Sequence, residues 1–176
     1  GVLAAAPAVP DGTIADPLQC LNYGFTIPLT AVITGIEVFV ERRSSSVANG
    51  GSRDNSLFLV KGGVQAGNNG ATATIYTTAD LVEVHGGPAN LWGTTWTPAE
   101  INAANFGARF TATKPSAVGL SHSVQVDHIS ITVHYISNPP PAPNLVSPAD
   151  GATVGTATPA FDWTDVVDPD GDAVTY

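Results

Sequence analysis

The residues best suited to chemistry form an acidic turn near the end of the sequence, Asp168-Pro169-Asp170-Gly171-Asp172. Alternating Asp carboxylates with a Gly at the sharp bend form the donor arrangement that calcium loops use. The closing Glu of the EF-hand pattern is missing, however, and Asp-Pro-Asp-Gly is also an ordinary type I turn sequence. Asp168, Asp170 and Asp172 are therefore the candidate calcium ligands, with a plain turn as the alternative. We expect no other cofactor.

Three aromatic residues suit a second kind of site, a platform on which a sugar ring stacks. Trp92, Trp96 and Tyr76 have Asn residues nearby in the sequence, and aromatic faces beside amide groups suit carbohydrate. The run Leu-Trp-Gly-x-x-Trp is equally suited to covering the core of a β protein. Both interpretations stay open at this point, a carbohydrate-binding surface and a set of core residues.

Histidines are the third group with chemical potential, and the sequence contains four: His85, His122, His128 and His134. His122 and His128 lie close to Ser and Asp residues, but neighbours in a strand point to opposite faces, so this proximity does not assemble a triad. The imidazole nitrogens of His85 and His134 are of the type that binds zinc, but no two His or Cys residues in the sequence have the spacing of zinc ligands. We expect these side chains to be exposed on strands.

Paired carboxylates for glycoside hydrolysis are available from Glu37, Glu41, Glu83 and Glu100, but nothing in the sequence selects two of them. The sequence also lacks the Gly-x-Ser-x-Gly elbow of many serine hydrolases. We therefore expect no catalytic residues and no enzymatic activity, since a site needs several convergent groups.

The charge balance excludes several classes of partner. Only 12% of the 176 residues are charged, and the formal net charge is −9. Nucleic-acid binding needs a basic stripe that neutralises phosphates, whereas the densest basic run here is Arg42-Arg43, next to Glu41. No apolar run has the length of a membrane span. We expect no nucleic-acid partner and no membrane insertion.

The composition is typical of extracellular proteins, because the chain has little charge, no Met and many Thr, Ser and Asn residues. Its single cysteine, Cys20, cannot form an internal disulfide. The sequence begins without an initiator Met or a basic leader, so we expect either a removed signal peptide or a partial chain. The expected location is extracellular, on a cell surface or on a virion.

Short β-forming runs separated by Gly-rich and Asn-rich turns predict the elements that position these residues. Gly35 predicts a bulge in the first strand, and the apolar phase slips by one residue at Asp127-His128, which predicts another. Thr97, Pro98 and Glu100 have the pattern of a capped helical turn. The predicted strands span residues 30–40, 57–60, 72–77, 81–85, 106–113 and 124–136.

These elements predict an all-β protein, an antiparallel β-sandwich of jelly-roll-like type with one short helix. We expect residues 1–15 to form an extended N-terminal segment and the sandwich to span residues 16–137. The Pro-rich stretch 138–144 is a stiff linker that favours polyproline II. Residues 145–176 start a second β element that is too short to fold as an independent domain.

Several segments carry a resemblance to known modules: Ile33-Thr34-Gly35-Ile36-Glu37-Val38, Leu59-Val60-Lys61-Gly62-Gly63, Leu91-Trp92-Gly93-Thr94-Thr95-Trp96-Thr97 and Val126-Asp127-His128-Ile129. In this order they resemble a β-sandwich module of phage tail-fibre and virion structural proteins and of bacterial surface proteins. The part from Phe161-Asp162-Trp163 to Asp168-Pro169-Asp170-Gly171-Asp172 resembles the opening of an immunoglobulin-like or fibronectin type III domain. That second resemblance implies that Trp163 is a core residue. Neither family implies catalytic residues.

The leading functional hypothesis is a structural subunit or stalk module of an extracellular fibre, surface filament or phage appendage. Copies of the chain are the expected partners, because an exposed sheet edge readily accepts a strand and head-to-tail contacts build open filaments. The short second element is either completed by a neighbouring chain or continued by the parent protein beyond Tyr176. The alternative hypothesis is a carbohydrate-binding adhesion module with a surface glycan as its ligand.

Overall fold

The structure is a computed structural model that describes residues 14–48, 51–113 and 123–175. It is an all-β protein with antiparallel sheets and one short helix among the described residues, which confirms the all-β part of the predicted fold class. His122 and residues 1–13 lie outside the described residues. The elements are β1 (Leu18–Leu21), β2 (Val32–Ser44), β3 (Arg53–Lys61), β4 (Val64–Ala66), β5 (Leu81–Gly87), α1 (Pro98–Asn102), β6 (Gly107–Thr113), β7 (Val124–Ile136), β8 (Leu145–Ser147) and β9 (Asp162–Trp163).

The strands form three antiparallel sheets. The four-stranded sheet has the order β1-β6-β3-β4, and the three-stranded sheet has the order β5-β2-β7. Side chains from both sheets belong to one apolar cluster, with Val38 and Val40 from β2 meeting Leu57 and Leu59 from β3 and Phe110 from β6. Burial of these large side chains is the main driving force for folding, about 1.5–3 kcal/mol for each one. The third sheet, β8-β9, has only two strands.

Both predicted bulges are confirmed in the pairing of β2 with β7. One shift in register lies between Ile33 and Gly35, and the other leaves Asp127 as an extra residue between the pairs Glu41–His128 and Arg42–Val126. Gly35 is required for close approach, because an added Cβ would lie 2.3 Å from the carbonyl oxygen of Gly87.

Two strands extend further than predicted, and one predicted strand is wrong. β2 continues to Ser44 and β3 begins at Arg53, beyond the predicted spans 30–40 and 57–60. Residues 72–77 have no strand structure. Their polar groups bond instead across the gap between the sheets, as when the amide of Tyr76 donates to the carbonyl of Ser52 over 2.9 Å. Buried polar contacts have therefore overridden strand propensity in this region.

The predicted helical turn is confirmed as α1, with Thr97 as its N-cap in a complete capping box. The amide group of Asn102 then bonds both backbone groups of Ile27, at 2.8 and 2.9 Å. Among the described residues, no helix is long and apolar enough to cross a membrane.

Residues 145–175, here called the tail, differ from the rest of the structure in their exposure. Trp163 is 49% exposed and Phe161 is 63% exposed. The expectation that Trp163 is a core residue is therefore wrong for the described structure, because the two-stranded sheet β8-β9 provides too little surface to cover it.

Candidate functional site

A buried charged cluster of Arg42, Asp54, Glu83 and His85 is the most unusual polar feature of the described residues. Arg42 comes from β2, Asp54 from β3, and Glu83 and His85 from β5, so the cluster connects the two large sheets. The side chains of Asp54 and His85 are fully buried, and those of Arg42 and Glu83 are 2% and 18% exposed. Charged side chains are rarely buried unless they are paired.

Strand geometry explains how these side chains reach the interior. Alternate residues of β2 point inward, so Arg42 continues the buried row that contains Val38 and Val40. Opposite them in β5, His85 pairs with Val38 and Glu83 pairs with Val40, which places both side chains on the same inner face. A register shift between Asp54 and Ser56 turns Asp54 inward as well.

Ion pairs hold the cluster together. Nε of Arg42 lies 3.0 Å from Oδ1 of Asp54, and Nη2 of Arg42 donates a hydrogen bond to Oε2 of Glu83. With two carboxylates and one guanidinium, the cluster has one excess negative charge when His85 is neutral. Removing one member of such a buried pair leaves an uncompensated charge and is strongly destabilising.

Residues 67–80, here called the covering segment, close the cluster from outside. The hydroxyl of Tyr76 donates to Oδ1 of Asp54 over 2.7 Å, and the guanidinium carbon of Arg42 lies 4.4 Å from the centre of the Tyr76 ring. The backbone amide of Thr72 donates to Oδ2 of Asp54 over 3.1 Å. The hydroxyl of Thr72 lies 2.6 Å from Oε1 of Glu83 and 3.2 Å from Oδ2 of Asp54.

Two pKa shifts follow from this environment. Burial raises the pKa of Tyr76 well above its usual range, and the neighbouring negative charge of Asp54 adds to the increase. Burial alone would also raise the pKa of Glu83. Hydrogen bonds from Thr72 and Arg42, together with the Arg42 charge, outweigh this effect and lower the pKa of Glu83 below its usual value.

The structure places the three aromatic candidates in the interior. Trp92, Trp96 and Tyr76 are only 3%, 7% and 2% exposed. The indole NH of Trp92 donates to the carbonyl of Ile36 over 2.9 Å, and that of Trp96 donates to the carbonyl of Leu91 over 3.0 Å. A sugar-stacking platform needs exposed ring faces, so these positions correspond to the core alternative.

The acidic turn does not bring its carboxylates together. Asp168 accepts a hydrogen bond from the amide of Asp170 over 2.8 Å, and the Asp170 carboxylate bonds the hydroxyl of Thr30 and, over 2.6 Å, the amide of Asn138. Asp172 is exposed. Within residues 14–48, 51–113 and 123–175, only Asp54, Glu83 and His85 form a group of three His, Cys, Asp or Glu ligand atoms within 4.8 Å of one another.

The histidine expectations are partly wrong. His128 is exposed, as expected, and His134 is partly exposed and lies 3.1 Å from Oε2 of Glu37. His85 is buried instead, because it lies on the inner face of β5. Of the paired-carboxylate candidates, only Glu83 belongs to the buried charged cluster, and no sequence pattern predicted Arg42 or Asp54 as site residues. The inward parity of Arg42 was the signal that could have identified it.

Comparison of the chain with protein-family models, with curated proteins and with solved structures finds no match. The resemblances to fibre and surface modules and to immunoglobulin-like domains therefore stay predictions from the sequence. The function must be argued from the structure itself.

Proposed function

We propose that this chain is a structural module of an extracellular fibre, surface filament or phage appendage. In this proposal, residues 16–137 are a rigid β-sandwich of jelly-roll-like type, and the tail is the beginning of an immunoglobulin-like or fibronectin type III element. Two sheets with a common apolar core support the first part. Its role is mechanical, to hold neighbouring domains at a fixed distance and orientation.

The observation that carries the proposal is the contrast between a closed core and an apolar tail. In the large sheets the side chains of Val38, Val40 and Leu57 are completely buried. The tail instead exposes Phe161 and Trp163, and Val167 is 80% exposed. Exposed large apolar side chains that form one patch are typical of surfaces that contact another protein, and we propose that these three residues form such a patch. We propose that a second copy of the chain covers this surface.

The junction between the two parts supports a mechanical role. The Asp170 carboxylate bonds Thr30, which lies before β2, and Asn138, at the start of the Pro-rich stretch. The side-chain amide of Asn138 also donates to the carbonyl of Thr30 over 3.2 Å. These contacts, together with the restricted φ angles of the prolines, limit bending at the junction.

Self-association tests the proposal directly. Light scattering coupled to gel filtration should give a mass that increases with concentration, and electron microscopy should show chains of particles. The double variant Phe161→Ser/Trp163→Ser should remain monomeric. Val64→Ser is the matched control, because Val64 is 68% exposed in β4 and lies outside the tail. A wild-type protein that stays monomeric at all concentrations would contradict the proposal.

The alternative hypothesis of a carbohydrate-binding module depended on exposed aromatic side chains, and the structure places these side chains in the interior. Trp92, Trp96 and Tyr76 are buried, so none of them supplies a free ring face. No other observation in the described residues favours sugar binding. The structural module is therefore the function that we retain.

A further inference from the structure

The imidazole of His85 has one ring nitrogen whose bonding is unexplained. Its Nδ1 lies 2.9 Å from the carbonyl oxygen of Gly70, and because a carbonyl only accepts, Nδ1 must carry a hydrogen. In the neutral ring Nε2 is then an acceptor. This atom is fully buried, has no hydrogen-bond partner and faces Oδ2 of Asp54 at 3.8 Å. Two acceptors that face each other in the interior require a positive charge between them.

Arg42 contacts one oxygen of each carboxylate, which leaves the other oxygen of Asp54 and of Glu83 without a contact to the guanidinium. Oδ1 of Asp54 and Oε2 of Glu83 are the oxygens next to Arg42. Oδ2 of Asp54 and Oε1 of Glu83 lie instead around the hydroxyl of Thr72, at 3.2 and 2.6 Å. His85, Asp54 and Glu83 offer ligand atoms that all lie within 4.8 Å of one another.

We propose that Nε2 of His85, Oδ2 of Asp54 and Oε1 of Glu83 bind a divalent transition-metal ion of the zinc class. The Thr72 hydroxyl or a water molecule supplies the fourth ligand. With metal–ligand distances of about 2.0–2.2 Å, an ion between Nε2 and Oδ2 would subtend an angle of about 130°, within reach of tetrahedral geometry after a small shift. This inference is independent of the proposed mechanical function.

The surrounding contacts are those that metal ligands normally have. The hydrogen bond from Nδ1 of His85 to Gly70 fixes the ring and leaves Nε2 free to coordinate. Tyr76 and Arg42 orient the other oxygen of Asp54. An imidazole with only a few oxygen ligands favours zinc-class ions over calcium, which takes six to eight oxygen ligands.

A proton on Nε2 of His85 is the competing occupant of the same position. It would neutralise the excess negative charge of the cluster, but at 3.8 Å from Asp54 it makes no normal hydrogen bond. A small cavity lined by Thr74, Tyr76 and Leu81 also borders Glu83.

Zinc titration of the full chain after chelator treatment tests the proposal. We expect calorimetry at neutral pH to show one equivalent of zinc bound per chain. His85→Gln should reduce the affinity by more than the 10–100-fold that is typical of losing a second-shell contact. The matched control is His134→Gln, since His134 lies next to a carboxylate of Glu37 at the partly exposed outer face. This variant should keep the wild-type affinity.

Nuclear magnetic resonance of the unmodified protein gives a second readout, which applies even if His85→Gln fails to fold. Zinc should shift the ¹⁵N signal of His85 Nε2. The ¹⁵N signal of Nδ1 should still show the hydrogen bond to Gly70. Calcium should leave both signals unchanged. Absence of stoichiometric zinc binding, or an unmoved Nε2 signal at saturating zinc, would overturn the proposal. Equal zinc affinity in a folded His85→Gln variant would overturn it as well.

Discussion

The buried charged cluster and the acidic turn both offer carboxylate oxygens, but they differ in how close their residues lie in the sequence. The residues of the turn are neighbours in the sequence, whereas those of the cluster are spread from Arg42 to His85. The turn has three Asp residues within five positions, and in the structure one carboxylate caps its own turn, one ties the tail to the larger domain and one is exposed. The cluster takes its members from three strands, and these members meet in the interior.

This contrast shows that proximity in the chain is a poor guide to convergence. The carboxylates of the turn differ in exposure, since Asp168 is buried and Asp172 is exposed, and Asp168 and Asp170 each accept hydrogen bonds from nearby donors. Carboxylates that point into the interior lose most of their solvation. They must find a cation or a donor, and Arg42, Thr72 and Tyr76 provide it for Asp54.

The largest expected effect distinguishes two neighbouring arginines on β2. Arg42→Met leaves Asp54 and Glu83 without their cation and should lower the free energy of unfolding by about 3–5 kcal/mol. Arg43→Met removes a pair with Asp80 in which both side chains are more than 40% exposed, so it should cost less than about 1 kcal/mol. Urea denaturation measures both. Equal costs would show that the buried cluster is no more important than a surface ion pair.

A smaller effect is expected for the hydroxyl that closes the cluster. Tyr76→Phe removes the donor to Asp54 and should cost about 1.5–3 kcal/mol, the range for a hydrogen bond to a charged group. Tyr135→Phe is the control, because Tyr135 is 44% exposed. Its free energy of unfolding should stay within about 0.5 kcal/mol of the wild-type value. If Tyr76→Phe left the free energy of unfolding unchanged, the hydrogen bond from Tyr76 to Asp54 would not contribute to stability.

Acidification should weaken the cluster through Glu83. The pKa of Glu83 is lower in the folded protein than its ordinary value of 4.5, so its contribution to stability is present above that value. This contribution is lost as the pH falls through the lower folded pKa. Denaturation curves from pH 7 to pH 3 should therefore show a steeper loss of stability for the wild type than for Glu83→Gln. Parallel curves would contradict the assigned direction of the shift.

The smallest effect is expected in the acidic turn. Asp170→Ala removes exposed hydrogen bonds to Thr30 and Asn138 and should change the free energy of unfolding by less than about 1 kcal/mol. It should increase proteolytic cleavage in the Pro-rich stretch, because the junction loses its tie. Calcium should leave the unfolding temperature unchanged, since the Asp170 oxygens already have partners. If calcium raised the unfolding temperature of the wild type but not of Asp170→Ala, the turn would be a calcium site.

Much of the fold was predictable because its signals are local. The spans of β5 to β7 followed from β-forming runs, the capping box of α1 followed from Thr97 and Glu100, and the slip at Asp127 followed from the apolar phase. The polar ends of β2 and β3 were missed, because inward polar residues interrupt the apolar pattern that marks a strand. The irregular course of residues 72–77 was missed for the opposite reason, because β-forming residues predicted a strand where contacts such as that from the Tyr76 amide to the Ser52 carbonyl replace strand pairing.

The candidate site was much less predictable than the fold. Glu83 and His85 were among the residues considered for chemistry, but nothing local selected them, and the aromatic residues selected for sugar binding are buried. Asp54 lies 12 positions after Arg42 in a stretch that reads as a loop. A register shift in β3 turned it inward, and no periodic pattern announces such a shift.

The sequence by itself determined the all-β class, the helical turn and the bulges, because these depend on the order and spacing of neighbouring residues. The tertiary structure alone decided which polar side chains meet. Pairing β5 with β2 and folding the covering segment over β3 bring Arg42, Asp54, Glu83 and His85 into one dry volume. In this buried cluster an unpaired charge would cost much free energy, so each charged side chain is placed next to a group of opposite charge or a hydrogen-bond partner.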